Sequence, residues 1–205
     1  MVSYLLSGVV LEAEEPVFGL CAASPAELDA LASDVPRLRF EPRTGALVPP
    51  PRWLQTRPFP DSERPWLSVG RVPSGYFVRV HDQADFVFDV GASTILGASV
   101  PGGTVEARDQ LLVDQALPQV LHAMGRFAIH ASSVEWSEGV NVAFAGKSGA
   151  GKSTLAASLA GTRRLVSDDC LAVTFADGLA LAHPSYAAPV VERDVEDHRP
   201  AEVGE

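Results

Sequence analysis

The residues whose types and order could do chemistry lie in one stretch, Ala143 to Val173, which reads AFAGKSGAGKSTLAASLAGTRRLVSDDCLAV. Its first half runs Gly146, Lys147, Ser148, Gly149, Ala150, Gly151, Lys152, Ser153, with Thr154 next, and fits the spacing G-x-x-x-x-G-K-[ST]. Glycines at those positions let the backbone curl so that successive N–H groups point inward at phosphate oxygens. A helix opening there adds the partial positive charge of its N-terminus. Lys152 would reach the β- and γ-phosphates of a nucleoside triphosphate, and the Ser153 hydroxyl would ligate Mg²⁺. The expected nucleotide-binding set is therefore residues 146–154, with Ser153 also a metal ligand.

The second half carries Asp168 and Asp169 inside the apolar run LVSDDCLAV. Two adjacent carboxylates among apolar residues are costly unless something compensates them, and a metal ion beside a triphosphate would do so. One could bind Mg²⁺ and the other could accept a proton from an attacking hydroxyl. His130 lies on the segment expected to pair with the strand that feeds the loop, which makes it a candidate for the same site.

These residues must be positioned by a small set of elements. VNVAFAG (140–146) reads as a strand leading into the loop, and residues 152–160 as a helix stopped by Gly161. RFAIHASSVEW (126–136) is a strand that hairpins onto it through the turn 137–139. Residues 164–175 read as one further strand, followed by a turn into 179–183. If 164–169 returns parallel to 140–145, the aspartates arrive beside the loop at the carboxyl end of the sheet. Upstream, 104–124 has helical spacing, with Thr104 as a cap, Pro118 as a kink or division and Gly125 as a stop. Residues 66–98 alternate as an antiparallel hairpin or meander. Residues 4–12 look like a strand, and SPAELDAL opens a short helix near 25–33 through a capping box of Ser24 and Glu27. The proline-rich stretch 36–65 is expected to be a loop or strap without regular structure.

The formal net charge of -10 argues against general nucleic-acid binding, which needs an excess of Lys and Arg to neutralise phosphates. Cys21 and Cys170 are far apart and form neither a zinc nor a redox motif, and Cys170 is expected to be a buried thiol. The N-terminus lacks a basic n-region, and its apolar run is too short for a signal peptide or membrane span. A cytoplasmic protein with no membrane partner is expected.

Several phosphate-loop classes are excluded. GTPases need an N-K-x-D base-reading motif, and Asn141 is the only asparagine in the chain. The L-S-G-G-Q of transport ATPases is absent. Too little chain follows Ser153 for the helical continuation and arginine-rich lid of small-molecule kinases.

IHASSV (129–134), GKSGAGKSTLAASLA (146–160) and LVSDD (165–169), in that order, resemble the HPr kinase/phosphorylase family. The resemblance is closer to its HPr-kinase-like serine kinase branch, which includes kinases of lasso-peptide precursors. DFVFDV and LLVDQALPQVLHAMGRFAIHAS look like the same branch, and the similarity covers roughly residues 76–186. It implies an α/β fold with a P-loop core of the HPr kinase type, behind a β-rich N-terminal region. The expected division is 1–100 for that region, 101–190 for the core and 191–205 for a charged tail. The implied activity is transfer of phosphate from Mg-ATP to a serine hydroxyl on a protein or peptide. Asp168 would be the general base, with His130 near the catalytic carboxylate, and Asp169 would serve the metal. The resemblance also makes a homo-oligomer reasonable. Family members run on past the point where this chain stops, so the core is expected to be shortened at its C-terminal side. The competing expectation is a nucleotide-binding regulatory or scaffold protein without turnover.

Overall fold

The computed structural model describes residues 1–50, 52–59, 62–147 and 149–185. The fold is mixed α/β and mostly strand. No helix among the described residues is long and apolar enough to cross a membrane. The expected charged tail, 191–205, lies outside the described residues, as does Ser148 of the glycine loop.

An eight-stranded sheet occupies the N-terminal half. Its strands are β1 (Val2–Leu6), β2 (Val9–Ala13), β3 (Arg37–Arg43), β4 (Trp53–Pro58), β5 (Pro65–Val72), β6 (Gly75–Val80), β7 (Ala84–Asp89) and β8 (Thr94–Ser99). They lie in the order β1-β2-β3-β8-β7-β6-β5-β4. Strands β5 to β8 form the expected antiparallel meander. The expected single strand 4–12 is instead a hairpin of β1 and β2. Ser7 and Gly8 both take positive φ, 52° and 73°, the two-residue turn whose twist suits a hairpin.

The proline-rich stretch is also corrected: it supplies β3 and β4 rather than a structureless strap. β3 is parallel to both β2 and β8. Its pairing to β2 ends at Phe40, so Pro42 sits where that side has no ladder to interrupt. Pro58 ends β4, an edge strand. The capping box forms as expected, with Glu27 N donating to Ser24 Oγ and Ser24 N to Glu27 Oε2, but its helix α1 is only Pro25–Asp29.

Residues 105–123 form α2 (Val105–Leu111), a π-helical turn (Leu112–Ala116) and α3 (Leu117–Ala123). Thr104 Oγ1 accepts from Ala107 N at 3.1 Å and caps α2. Pro118 has no N–H to give to the carbonyl one turn back, and the wider π turn just before it absorbs that mismatch. Gly125, at φ 75°, ends the segment. Leu112, Ala116, Leu117, Val120 and Leu121 are buried with Leu38, Phe40, Phe86 and Ile95 of the sheet in one apolar core. Each large apolar side chain there contributes about 1.5–3 kcal/mol by leaving water.

A second, five-stranded sheet carries the C-terminal half. Its strands are β9 (Phe127–Ser137), β10 (Val140–Ala145), β11 (Leu165–Ser167), β12 (Cys170–Ala176) and β13 (Leu179–His183), with helix α4 (Lys152–Ala160) between β10 and β11. Ala128 and Ala172 tie this sheet to the main core. The β1–β2 turn docks on its far end: Ser7 N donates to Pro184 O at 2.6 Å, and Arg126 Nη1 to Gly8 O at 3.0 Å.

Candidate functional site

Strand β9 organises the site. β10 pairs with it antiparallel on one edge, bringing Ala145 opposite Ala131 and Phe144 opposite Ser132. β11 and β12 pair antiparallel along its other edge. β10 and β11 therefore run in the same direction, the case in which the aspartates were expected beside the loop, but with β9 between them. The end of β10, where the glycine loop begins, lies opposite Ala131, and the end of β11, where the aspartates begin, lies opposite Ser133, two residues along β9.

The expected single strand 164–175 is broken at the aspartates. β11 ends with Ser167 opposite Ser133, and β12 starts with Cys170 opposite His130. One register is kept across this gap, so Asp168 and Asp169 span an interruption of the ladder opposite Ser132 and Ala131, and the register shift itself falls earlier, between Leu165 and Ser167. The chain is held through that gap by Ala131 N, which donates to Asp169 O at 3.1 Å, and by Ser132 Oγ, which donates to Asp168 O at 2.7 Å. The carboxylates thus leave the ladder at a bend, where they remain partly exposed, rather than lying within a strand.

Gly149 and Gly151 have φ of 78° and 82°, a left-handed conformation that glycine adopts without steric cost. A side-chain carbon on either would meet nothing within 4 Å. Gly151 caps α4 without a side-chain hydrogen bond, which leaves amides of the first turn for a ligand. Gly146 starts the curl and Ala150 N closes it on Lys147 O at 3.2 Å. Lys147, Gly149, Ala150, Ser153 and Thr154 are exposed, whereas Lys152 is buried. The chain contains two lysines, and both are in this loop.

Ser153 Oγ lies 3.5 Å from Ser132 Oγ, which in turn lies 3.3 Å from Asp168 Oδ1. Two residues earlier on β9, His130 Nδ1 is 2.8 Å from Asp169 Oδ1 and 3.1 Å from Asp169 O. His130 is thus brought to the aspartate pair, but its partner is Asp169 and not Asp168, which the resemblance made the catalytic carboxylate. Ser132 was missed in the sequence. Its signal was available: two residues after His130 on one strand, it shares that residue's face.

Cys170 follows the pair. Burial first, then the negative charges of Asp169 and Asp114, push its thiol up to about 11. It is a packing residue and not a nucleophile at neutral pH.

Among the described residues, no group of three or more His, Cys, Asp and Glu side chains could hold a metal ion. The donors present are oxygens: the Ser153 hydroxyl and the aspartate carboxylates. That set suits Mg²⁺, which usually takes one or two carboxylates and completes its shell with waters and substrate phosphates. The loop likewise suits a triphosphate, with left-handed glycines, a helix N-terminus and a lysine converging on one space. No family model and no curated protein matches the chain.

Proposed function

We propose that the chain is an ATP-dependent protein or peptide serine kinase of the HPr-kinase-like type, built on a P-loop nucleotide-binding core. The observation that carries this reading is the convergence on β9 of the glycine loop and the aspartate pair, linked through the hydroxyls of Ser153 and Ser132. The loop amides and Lys152 would bind the β- and γ-phosphates of ATP. Ser153 and one carboxylate of the pair would hold Mg²⁺, which when bound neutralises phosphate charge. The other carboxylate would take the proton of the acceptor serine. Phosphoryl transfer depends mainly on positioning and charge stabilisation, so these few groups are sufficient in kind.

The test is incubation with γ-labelled ATP and Mg²⁺ in the presence of candidate serine-containing peptides. Transfer of label to a serine that depends on Lys152 supports the kinase. Tight Mg-ATP binding without transfer to any peptide would leave a nucleotide-binding regulatory or scaffold protein in its place.

A further inference from the structure

We infer that the two aspartates divide their work in the opposite order from the one the resemblance implies: Asp168 stands on the metal side with Ser153, and Asp169, held by His130, takes the acceptor's proton. This rests on the phosphoryl-transfer reading above and assigns the roles within its site.

The division follows from which neighbour each carboxylate has. Ser132 is fully buried, so its hydroxyl is fixed between the loop and the pair. It donates to Asp168 O at 2.7 Å, and its oxygen lies 3.3 Å from Asp168 Oδ1 and 3.5 Å from Ser153 Oγ. One hydroxyl thus separates the loop serine from the Asp168 carboxylate, and a cation ligated by Ser153 has Asp168 as its nearest acidic neighbour in this chain of contacts. Asp169 belongs to a different set. Its carboxylate and carbonyl both meet His130 Nδ1, and the two side chains are 46% and 52% exposed. That exposure suits a group that must meet a serine on a separate polypeptide. In the transfer, the serine oxygen bonds to the γ-phosphorus and the bond from that phosphorus to the β,γ-bridging oxygen breaks. ADP leaves with the electron pair, and the serine proton passes to the Asp169 carboxylate. His130 is a positioning residue that fixes the orientation of that carboxylate.

The experiment measures affinity for a fluorescent ATP analogue with Mg²⁺ and with EDTA, alongside label transfer, in wild type, Asp168→Asn, Asp169→Asn and Ser132→Ala. Asp168→Asn should lose the gain in affinity that Mg²⁺ gives, and Ser132→Ala should reduce it, both with affinity in EDTA unchanged. Asp169→Asn should keep the Mg²⁺ gain while transfer falls at least about 100-fold, as expected for loss of a general base. If Asp169→Asn loses the gain and Asp168→Asn keeps it, or if both lose it, the assignment is overturned while the kinase reading stands. A wild-type protein that binds no ATP overturns both. Should Asp168→Asn fail to fold, the effect of Ser132→Ala on the Mg²⁺ gain decides the question, and an unchanged gain rejects the assignment.

Discussion

The Lys152 ammonium donates to the Gly146 carbonyl oxygen at 3.2 Å, and to that of Lys147 at the same distance. The cation is therefore folded onto the loop that should receive the phosphates. Exchanging neutral carbonyls for a phosphate oxygen adds the attraction of opposite charges to bonds whose donor is already ionised. Lys152→Ala should weaken ATP binding by roughly 10- to 100-fold, corresponding to the 1.5–3 kcal/mol of a hydrogen bond to a charged group. Lys152→Arg should not rescue it, because a planar fork does not replace a compact ammonium. With both lysines of the chain in the loop, an amine-acylating ATP derivative should label Lys147 or Lys152, and excess ATP should protect them. Labelling only at the N-terminus would contradict the assigned site.

A second expectation concerns the backbone of the loop. Gly151 sits at φ 82° with nothing near the place a side chain would occupy. Gly151→Ala therefore meets no clash and pays only for a left-handed backbone, about 1–2 kcal/mol. For a chain of this size that lowers the melting temperature by roughly 2–8 °C. ATP affinity should fall as well, because the amides lose their inward aim. Calorimetry and ligand titration on one preparation separate the two effects, and a variant with unchanged affinity would show that the loop amides do not bind phosphate.

How far the sequence could be read depended on whether the determining interactions were local. The glycine loop, α4 and the Ser24–Glu27 box are set by neighbours within a turn, and each is found at its expected start. β3 was hidden because its partners β2 and β8 are parallel and come from distant segments, while the prolines around it dominate any local reading. The turn at Ser7 and Gly8 was masked by apolar residues on both sides. The break at Asp168 and Asp169 is an interruption of the ladder on β9 between β11 and β12, with the register kept across it, which no property of LVSDDCLAV encodes. Ser132 was legible in part, since it shares a strand face with His130, but its contacts to Asp168 and Ser153 come from distant segments.

Asp85 is almost fully buried on β7, and Arg79 reaches it with two bonds of 2.7 Å, from Nε and from Nη2. Removing one member of a buried pair costs about 3–5 kcal/mol, and the partial exposure of Arg79 reduces that here to about 2 kcal/mol. Asp85→Ala should therefore lower the melting temperature by roughly 4–8 °C. ATP binding should be unaffected at temperatures where the variant is folded, because the pair belongs to the first sheet and the site to the second. Loss of binding in the folded variant would reveal coupling between the sheets.

His183 gives a pH dependence of defined sign. Its ring packs against Gly8, where an added side-chain carbon would come within 2.7 Å, and its Nε2 is 2.8 Å from Thr174 Oγ1. Burial first, then the charge of Arg126, hold its pKa below the ordinary 6.5. The unfolded chain thus binds a proton more readily than the folded one. The contribution to stability is full above pH 6.5 and is lost as the pH falls from there through the folded value. His81 shifts in the same direction, led again by burial. Denaturant unfolding at pH 7.5 and 5.5 should show a smaller loss of stability for His183→Gln than for wild type, and equal losses would remove His183 as a contributor.

The two thiols should differ sharply in reactivity. Cys21 is exposed, whereas Cys170 is half-buried beside Asp169 with its pKa raised to about 11. At pH 8 a thiol of that pKa is thiolate in about one molecule in a thousand, and only the thiolate attacks an alkylating reagent. Brief iodoacetamide treatment of the folded protein should therefore modify Cys21 and spare Cys170, with both modified after denaturation. Because the charge of Asp169 helps to raise the Cys170 pKa, Asp169→Asn should speed alkylation of Cys170 without changing that of Cys21. The measurement needs no substrate, so it reports the position of the Asp169 carboxylate independently of any phosphoryl transfer. An unchanged Cys170 rate in that variant would mean that the Asp169 charge does not act on the thiol.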